Sequence, residues 1–181
     1  MSGELARPFD LGEMPLGRPM ETVDEQVVRA PVTPLFELAS KVEEWPSRLR
    51  HYRHVRFRQR RADGGGLVEM SAYRPFQLSD SLRLNWPTWW LSEMAVDSKR
   101  PAIRFRHVGG ITKGMDVEWT FDPVAGGTHV RIVHLWDGPP IPVVGRWAAM
   151  LVIGPVFVHG IASRTLAGLA AAAERQARTL L

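Results

Sequence analysis

Between residues 52 and 136, apolar and polar positions alternate in short runs separated by glycine- or proline-marked turns, the period of strands half buried against a core. Tyr52–Arg61 is the first run. It ends at Ala62-Asp63-Gly64-Gly65-Gly66, and Leu67–Phe76, carrying Met70, is its hairpin partner across that turn. Leu82–Trp86 and Trp89–Val96 read as one long strand or two, interrupted at Pro87, which has no N–H to give a ladder. Pro101–Val108 sets Ile103, Phe105 and His107 against Arg104 and Arg106. Met115–Phe121 sets Met115, Val117, Trp119 and Phe121 against Asp116, Glu118 and Thr120. After Ala125-Gly126-Gly127, Thr128–Trp136 sets Val130, Ile132, His134 and Trp136 against Arg131 and Val133. Strands in succession joined by short turns predict an antiparallel meander whose buried face is rich in aromatics.

The flanks read differently. Residues 1–20 hold Pro8, Pro15, Pro19 and three glycines without a period, which predicts a flexible leader; residues 21–181 read as one domain. Met20–Ala30 is strand-like, and Pro31 and Pro34 end it. Thr33 is expected to cap a helix with Pro34 at its first position and Glu37 in its first turn. A second helical turn is expected across Val42–Leu49, around Trp45-Pro46. From Pro155 to Leu181 the pattern is that of an amphipathic helix: Arg164, Arg175 and Arg178 fall within about 60° of one another, with Ala162, Leu166, Leu169 and Ala173 opposite. That inner face is thin, with alanine where leucine would fill a tight core. Either the gap is a cavity for an apolar ligand, or side chains from the sheet fill it; the pattern leaves both open.

Composition narrows the chemistry. The chain has 181 residues and no cysteine, so it holds neither a disulfide nor a thiolate zinc site. No secretory signal is read at the N-terminus, and a cytoplasmic location is the default expectation. Seven arginines lie between residues 48 and 61 with no acid among them. Arg56, Arg58 and Arg60 alternate with Val55, Phe57 and Gln59 as the wet face of a strand would, and no nucleic-acid motif accompanies them, so no nucleic-acid partner is expected. The six histidines show no HExxH and no carboxylate spacing that would hold a metal; no GxSxG and no phosphate-binding loop occurs, and no cofactor is expected. His107 and His134 fall on the apolar sides of their strands. Each is either a hydrogen-bonded core residue or a neutral imidazole that meets a ligand oxygen. The apolar stretch 141–158 is short for a spanning helix and contains Gly154 and Pro155, which suits a flap over a cavity mouth with transient membrane-surface contact.

The element order, with "VTPLFELASKVEEWPSRLRHY" over Val32–Tyr52, "WLSEMAVDSKRPAIRFRHV" and "MDVEWTFDPVAGGTHVRIVH", resembles the START-like (SRPBCC) superfamily, in its polyketide cyclase/dehydrase and lipid-transport branch. The resemblance implies an α+β helix-grip fold: a curved antiparallel sheet of six or seven strands around a long C-terminal helix, with two short helices after the first strand. It implies storage, transport or presentation of a lipid, isoprenoid quinone or polyketide in an internal cavity. The alternative is a cyclase, aromatase or dehydratase acting on a poly-β-keto or ring substrate. The aromatase/cyclases carry Trp-x-Ser-x-Arg on a strand; here Trp90 and Ser92 are retained and Met94 replaces the arginine. Methionine neither donates a proton nor stabilises an enolate, which counts against aromatase chemistry. Tyr52 matches a pocket tyrosine of the family. The groups available for acid–base work are then His107, His134, Ser92 and Tyr52. The expected ligand-binding set adds Met70, Trp86, Trp90, Met94, Phe105, Trp119 and Trp136 from the sheet, and Ala162, Leu166 and Leu169 from the helix.

Overall fold

The structure, a computed structural model, describes residues 11–79, 82–138 and 158–179, with side chains outside 74–86. The stretch 139–157, most of the expected flap, lies outside the described residues. The side chain of Trp86 does too, though its backbone sits in a strand opposite Arg74. The elements in order are β1 (Met20–Val28), α1 (Val32–Ser40), a 3₁₀ turn (Val42–Glu44), α2 (Trp45–Arg48), β2 (Tyr52–Arg60), β3 (Gly66–Ser79), β4 (Leu82–Asp97), β5 (Ala102–Gly110), β6 (Asp116–Val124), β7 (Gly127–Trp136) and α3 (His159–Thr179).

All seven strands form one antiparallel sheet in the order β1-β7-β6-β5-β4-β3-β2, so β2 to β7 are a meander and β1 returns to pair with the last strand. The long β4 runs through Pro87 without a break. Pro87 sits opposite Tyr73 of β3, while pairing of β4 with β5 begins only at Trp90. On its other side β4 has no ladder at residue 87 that the missing N–H would interrupt. The first helix also begins earlier than its sequence suggests. Pro31 occupies the cap position with extended backbone and no side chain caps the helix, so Thr33 lies inside the first turn. Pro34, third in the helix, is tolerated because the first four N–H groups of a helix have no intrahelical partner.

The sheet wraps α3, which buries Ile161, Ala162, Thr165, Leu166, Leu169, Ala170, Ala172 and Ala173. Its alanine-rich half meets the core closely. At Gly168 a Cβ would stand 2.2 Å from Leu49 Cδ2, so the absence of a side chain there sets the approach. The outward arginines are largely paired: Arg58 donates to Glu69 (2.6 Å), Arg48 to Glu44 (2.8 Å), Arg60 pairs with Glu43, and Arg53 lies over the Tyr73 ring. Before β1, Leu11 is buried, and Arg104 donates to the Gly12 carbonyl at 2.6 Å. No described helix is long and apolar enough to cross a membrane.

Gly110 shows where the sheet depends on glycine. It sits beside a bulge in β5, where Val108 is the extra residue opposite the step from Leu91 to Ser92, at φ +86°, and a Cβ would lie 2.4 Å from the Trp89 carbonyl oxygen. Gly110→Ala therefore faces both an unfavourable backbone region and a clash with backbone. The expected loss is on the order of 2–4 kcal/mol, read as a lower denaturant midpoint at unchanged slope. A loss under about 0.5 kcal/mol would mean that the β4–β5 register relaxes freely.

Candidate functional site

A cavity with a free volume of about 70 Å³ lies between the sheet and the first turns of α3. Tyr52, Met70 and Trp90 face it from β2, β3 and β4, and Phe105, His107, Val117, Trp119 and His134 from β5, β6 and β7. Thr112 and Met115 come from the β5–β6 turn, Trp45 from α2, and Val158, Ile161, Ala162 and Thr165 from α3 and the residue before it.

The rings form a continuous belt. Trp119 lies 5.8 Å from Trp45, Trp45 meets Tyr52 edge-on at 5.2 Å, Tyr52 is 6.3 Å from Trp90, and Trp90 stacks on His107 at 6.0 Å. These spacings are those of favourable aromatic pairs, and the indole N–H of Trp45 is satisfied by the Leu38 carbonyl at 3.2 Å. Tryptophan thus enters the wall from a helix as well as from the sheet.

The polar groups are few and anchored. His107 Nδ1 bonds Thr112 Oγ1 at 2.6 Å, and His134 Nδ1 bonds Thr22 Oγ1 of β1 at 3.3 Å. On the other wall Thr165 Oγ1 stands 3.3 Å from Tyr52 Oη, 3.0 Å from His51 Nε2 and 2.8 Å from the Ile161 carbonyl. Burial strips water from the two cavity imidazoles and pushes each down to about 3, so both are neutral at pH 7. Burial likewise pushes the Tyr52 hydroxyl up, and pushes His51 down to about 4, with the Arg164 charge acting in the same direction. At the start of α3, His159 Nδ1 meets the buried Asp24 carboxylate of β1 at 2.5 Å, which ties the helix to the sheet edge. Burial raises the Asp24 carboxyl above its ordinary value, against the opposing pull of His159. Among the described residues no group of histidines and acids could hold a metal.

Of the residues singled out in the sequence, Tyr52, Met70, Trp90, Phe105, His107, Trp119, His134 and Ala162 come together on this cavity. Ser92, Met94, Trp136, Leu166 and Leu169 point inward but do not line it. Ser92 and Met94 are fully covered, and Met94 pairs with Phe105 across the β4–β5 ladder. Trp136 is also buried, and its indole N–H goes to the Lys113 carbonyl at 2.9 Å, bracing the β5–β6 turn. Leu166 and Leu169 are taken up by the main core. The alanines of α3 bring the helix down instead of leaving space, so the cavity sits towards the helix start, not along its thin face. Trp45, Thr112, Met115, Val117, Val158, Ile161 and Thr165 complete the wall. Thr165 carried a signal: it is a hydroxyl between Ala162 and Leu166 on the buried side of an amphipathic helix.

The depressed imidazoles make stability depend on pH. Between pH 6.5 and about 3 the unfolded chain takes up protons that folded His107 and His134 refuse, so stability falls as the pH drops. At about 1.4 kcal/mol per unit for each group, the two together should lower the unfolding free energy by about 2–3 kcal/mol from pH 7.5 to 5.5. His51 acts in the same sense; Asp24, raised, acts in the opposite sense, towards the carboxylate range. Denaturant titrations at the two pH values measure this, and equal midpoints would show that the imidazoles protonate in place.

No protein-family model matches the chain. Solved structures do. The aromatase/cyclase Zhui from Streptomyces superposes with a TM-score of 0.70 at 15% identity, over 87% of this chain and 94% of its own. A protein from Thermus thermophilus gives 0.68 at 18% identity, over 86% and 98%. A START superfamily protein from Mycobacterium smegmatis gives 0.58 at 14%, over 90% and 99%. At these identities the likeness is one of fold: the chain adopts the START-like helix-grip fold, a curved seven-stranded antiparallel sheet closed by its C-terminal helix.

Proposed function

We propose that the chain binds a hydrophobic small molecule, such as a lipid, isoprenoid quinone or polyketide, between the sheet and α3, for storage, transport or presentation. The observation that carries this reading is the cavity wall itself: a belt of rings with methionine and aliphatic side chains between them, and no acid, lysine or arginine among the described lining residues. Its free volume of about 70 Å³ holds a few waters, so a ring-bearing ligand displaces side chains as it binds. Met70 and Met115 have the torsional freedom to move.

A second reading, a polyketide cyclase, aromatase or dehydratase, draws on the likeness to the Streptomyces aromatase/cyclase. Two features of this chain weigh against it. The Trp-x-Ser-x-Arg resemblance in the sequence puts Met94 at the arginine position. The cavity imidazoles and Tyr52 are shifted away from neutrality, where general acids and bases work best.

The test uses the tryptophans of the wall. Titration with quinones, polyketide mimics and long-chain lipids should change the intrinsic emission and raise the melting temperature for at least one class. Ala162→Phe places a ring into the cavity from α3 and should weaken that ligand at least tenfold, about 1.4 kcal/mol. Unchanged emission and melting temperature across all classes would refute the binding reading.

A further inference from the structure

We propose that the ligand is an uncharged, ring-bearing compound presenting hydrogen-bonding oxygens to two opposite walls of the cavity, and that the site rejects carboxylates. This rests on the binding reading above and narrows it. Each cavity imidazole is already committed at Nδ1, His107 to Thr112 and His134 to Thr22. What remains on each ring is Nε2. Neither Nε2 has a partner among the described residues, and neither is sealed in protein as Ser92 Oγ and Asp24 Oδ2 are; both rings line the cavity, and the two nitrogens are proposed to face it. A polar atom on a side chain more than nine-tenths buried, held in orientation and left without a partner, is a group waiting for one. One wall, from β5 and β7, thus offers two imidazole nitrogens.

The opposite wall offers a phenol. Thr165 has one hydroxyl proton and two acceptors within reach, the Ile161 carbonyl and Tyr52 Oη. When Thr165 donates to Ile161, Tyr52 donates to Thr165. When Thr165 turns to Tyr52, the Tyr52 proton is free for a ligand oxygen. His51 can donate from Nε2 to Thr165 in either arrangement. Between the walls stand the rings of Trp45, Trp90 and Trp119, whose faces suit an apolar ring system. A carboxylate would find no cation. Among the described residues the lining carries no arginine or lysine, and burial keeps both imidazoles neutral, so an anion would lose its water without gaining a counter-charge from them.

Four naphthalene-based probes of similar ring size separate these terms in calorimetric titrations of the full chain at pH 7: naphthalene, 1-naphthol, menadione and 2-naphthoate. The chain has no cysteine to form adducts with menadione. Menadione, with an oxygen on each side, should bind at least tenfold tighter than naphthalene, 1-naphthol should fall between, and 2-naphthoate should bind more weakly than naphthalene. His107→Phe and Tyr52→Phe should each remove most of the menadione preference and leave naphthalene within about twofold, while His107→Gln, which keeps a polar head, should retain part of it. In the wild type, menadione should also shift the Nε2 resonances of His107 and His134 in ¹⁵N spectra, a readout that does not depend on any variant folding. Equal affinity for menadione and naphthalene, 2-naphthoate bound best, or unmoved Nε2 resonances would overturn the assignment while leaving the cavity reading intact. Failure of all four to bind would overturn the cavity reading and this assignment with it.

Discussion

The rings of Trp119, Trp45, Tyr52, Trp90 and His107 touch in succession, and that belt decides how far apart the two layers of the molecule stand. Rings contributed by α2, β2, β4, β5 and β6 cannot all collapse into one plane, so beside them α3 is held off the sheet. Farther along the same helix nothing so large intervenes. Ala170, Ala172 and Ala173 bury almost no volume of their own, Gly168 has no side chain at all, and the helix drops onto the core there. One helix therefore meets two packing regimes: propped at its start and close-packed towards its end. The cavity is the consequence of that wedge.

The same belt fixes the electrical character of the site. A histidine removed from water is more stable neutral; His107, stacked on Trp90, and His134 are both buried in this way. The cost appears as acid-sensitive stability. The gain is a pair of polar contacts that bring no charge into an apolar space, with their orientation set by Thr112 and Thr22. Groups shifted this far from neutrality serve better as fixed hydrogen-bond partners than as proton carriers. Methionine at position 94 points the same way, since a charge there would lie fully buried with no carboxylate among its strand neighbours Ser92, Phe105 and Gly66.

The sheet was legible because its signals are local: alternation along each strand and glycine turns between them specify a meander before any tertiary contact is known. The inward faces of β4 to β7 followed from the same alternation, which is why His107, His134, Trp90 and Trp119 were recognisable as inward-facing residues, with core or ligand contact left open. Three things were not legible. Whether an alanine face opens space or closes it depends on what lies across from it, and Leu49 against Gly168 is a contact between residues far apart in sequence. Trp45 sits in a short helical segment with no period to say which way it faces. The distance along a strand at which the interior changes from packed to open is also invisible to alternation, so Met94 and Trp136 shared a face with the lining residues without sharing the cavity.

How much the site can admit follows from how its walls are attached. The sheet side is held by ladders on both edges of β5, β6 and β7, broken only locally at the β4–β5 bulge, and by the interlocked rings. The α3 side is the start of one helix, whose cavity-facing residues, Ile161, Ala162 and Thr165, are small beside a tryptophan. It is tied down at the Asp24–His159 contact of 2.5 Å and through Thr165 to His51. Two polar contacts near a partly exposed helix start yield at far lower free energy than a seven-stranded sheet, as local opening does generally. On the proposed binding function, a molecule larger than the present 70 Å³ would be accommodated by displacement of the start of α3 and rearrangement of Met70 and Met115, with the belt as the fixed surface against which it would stack.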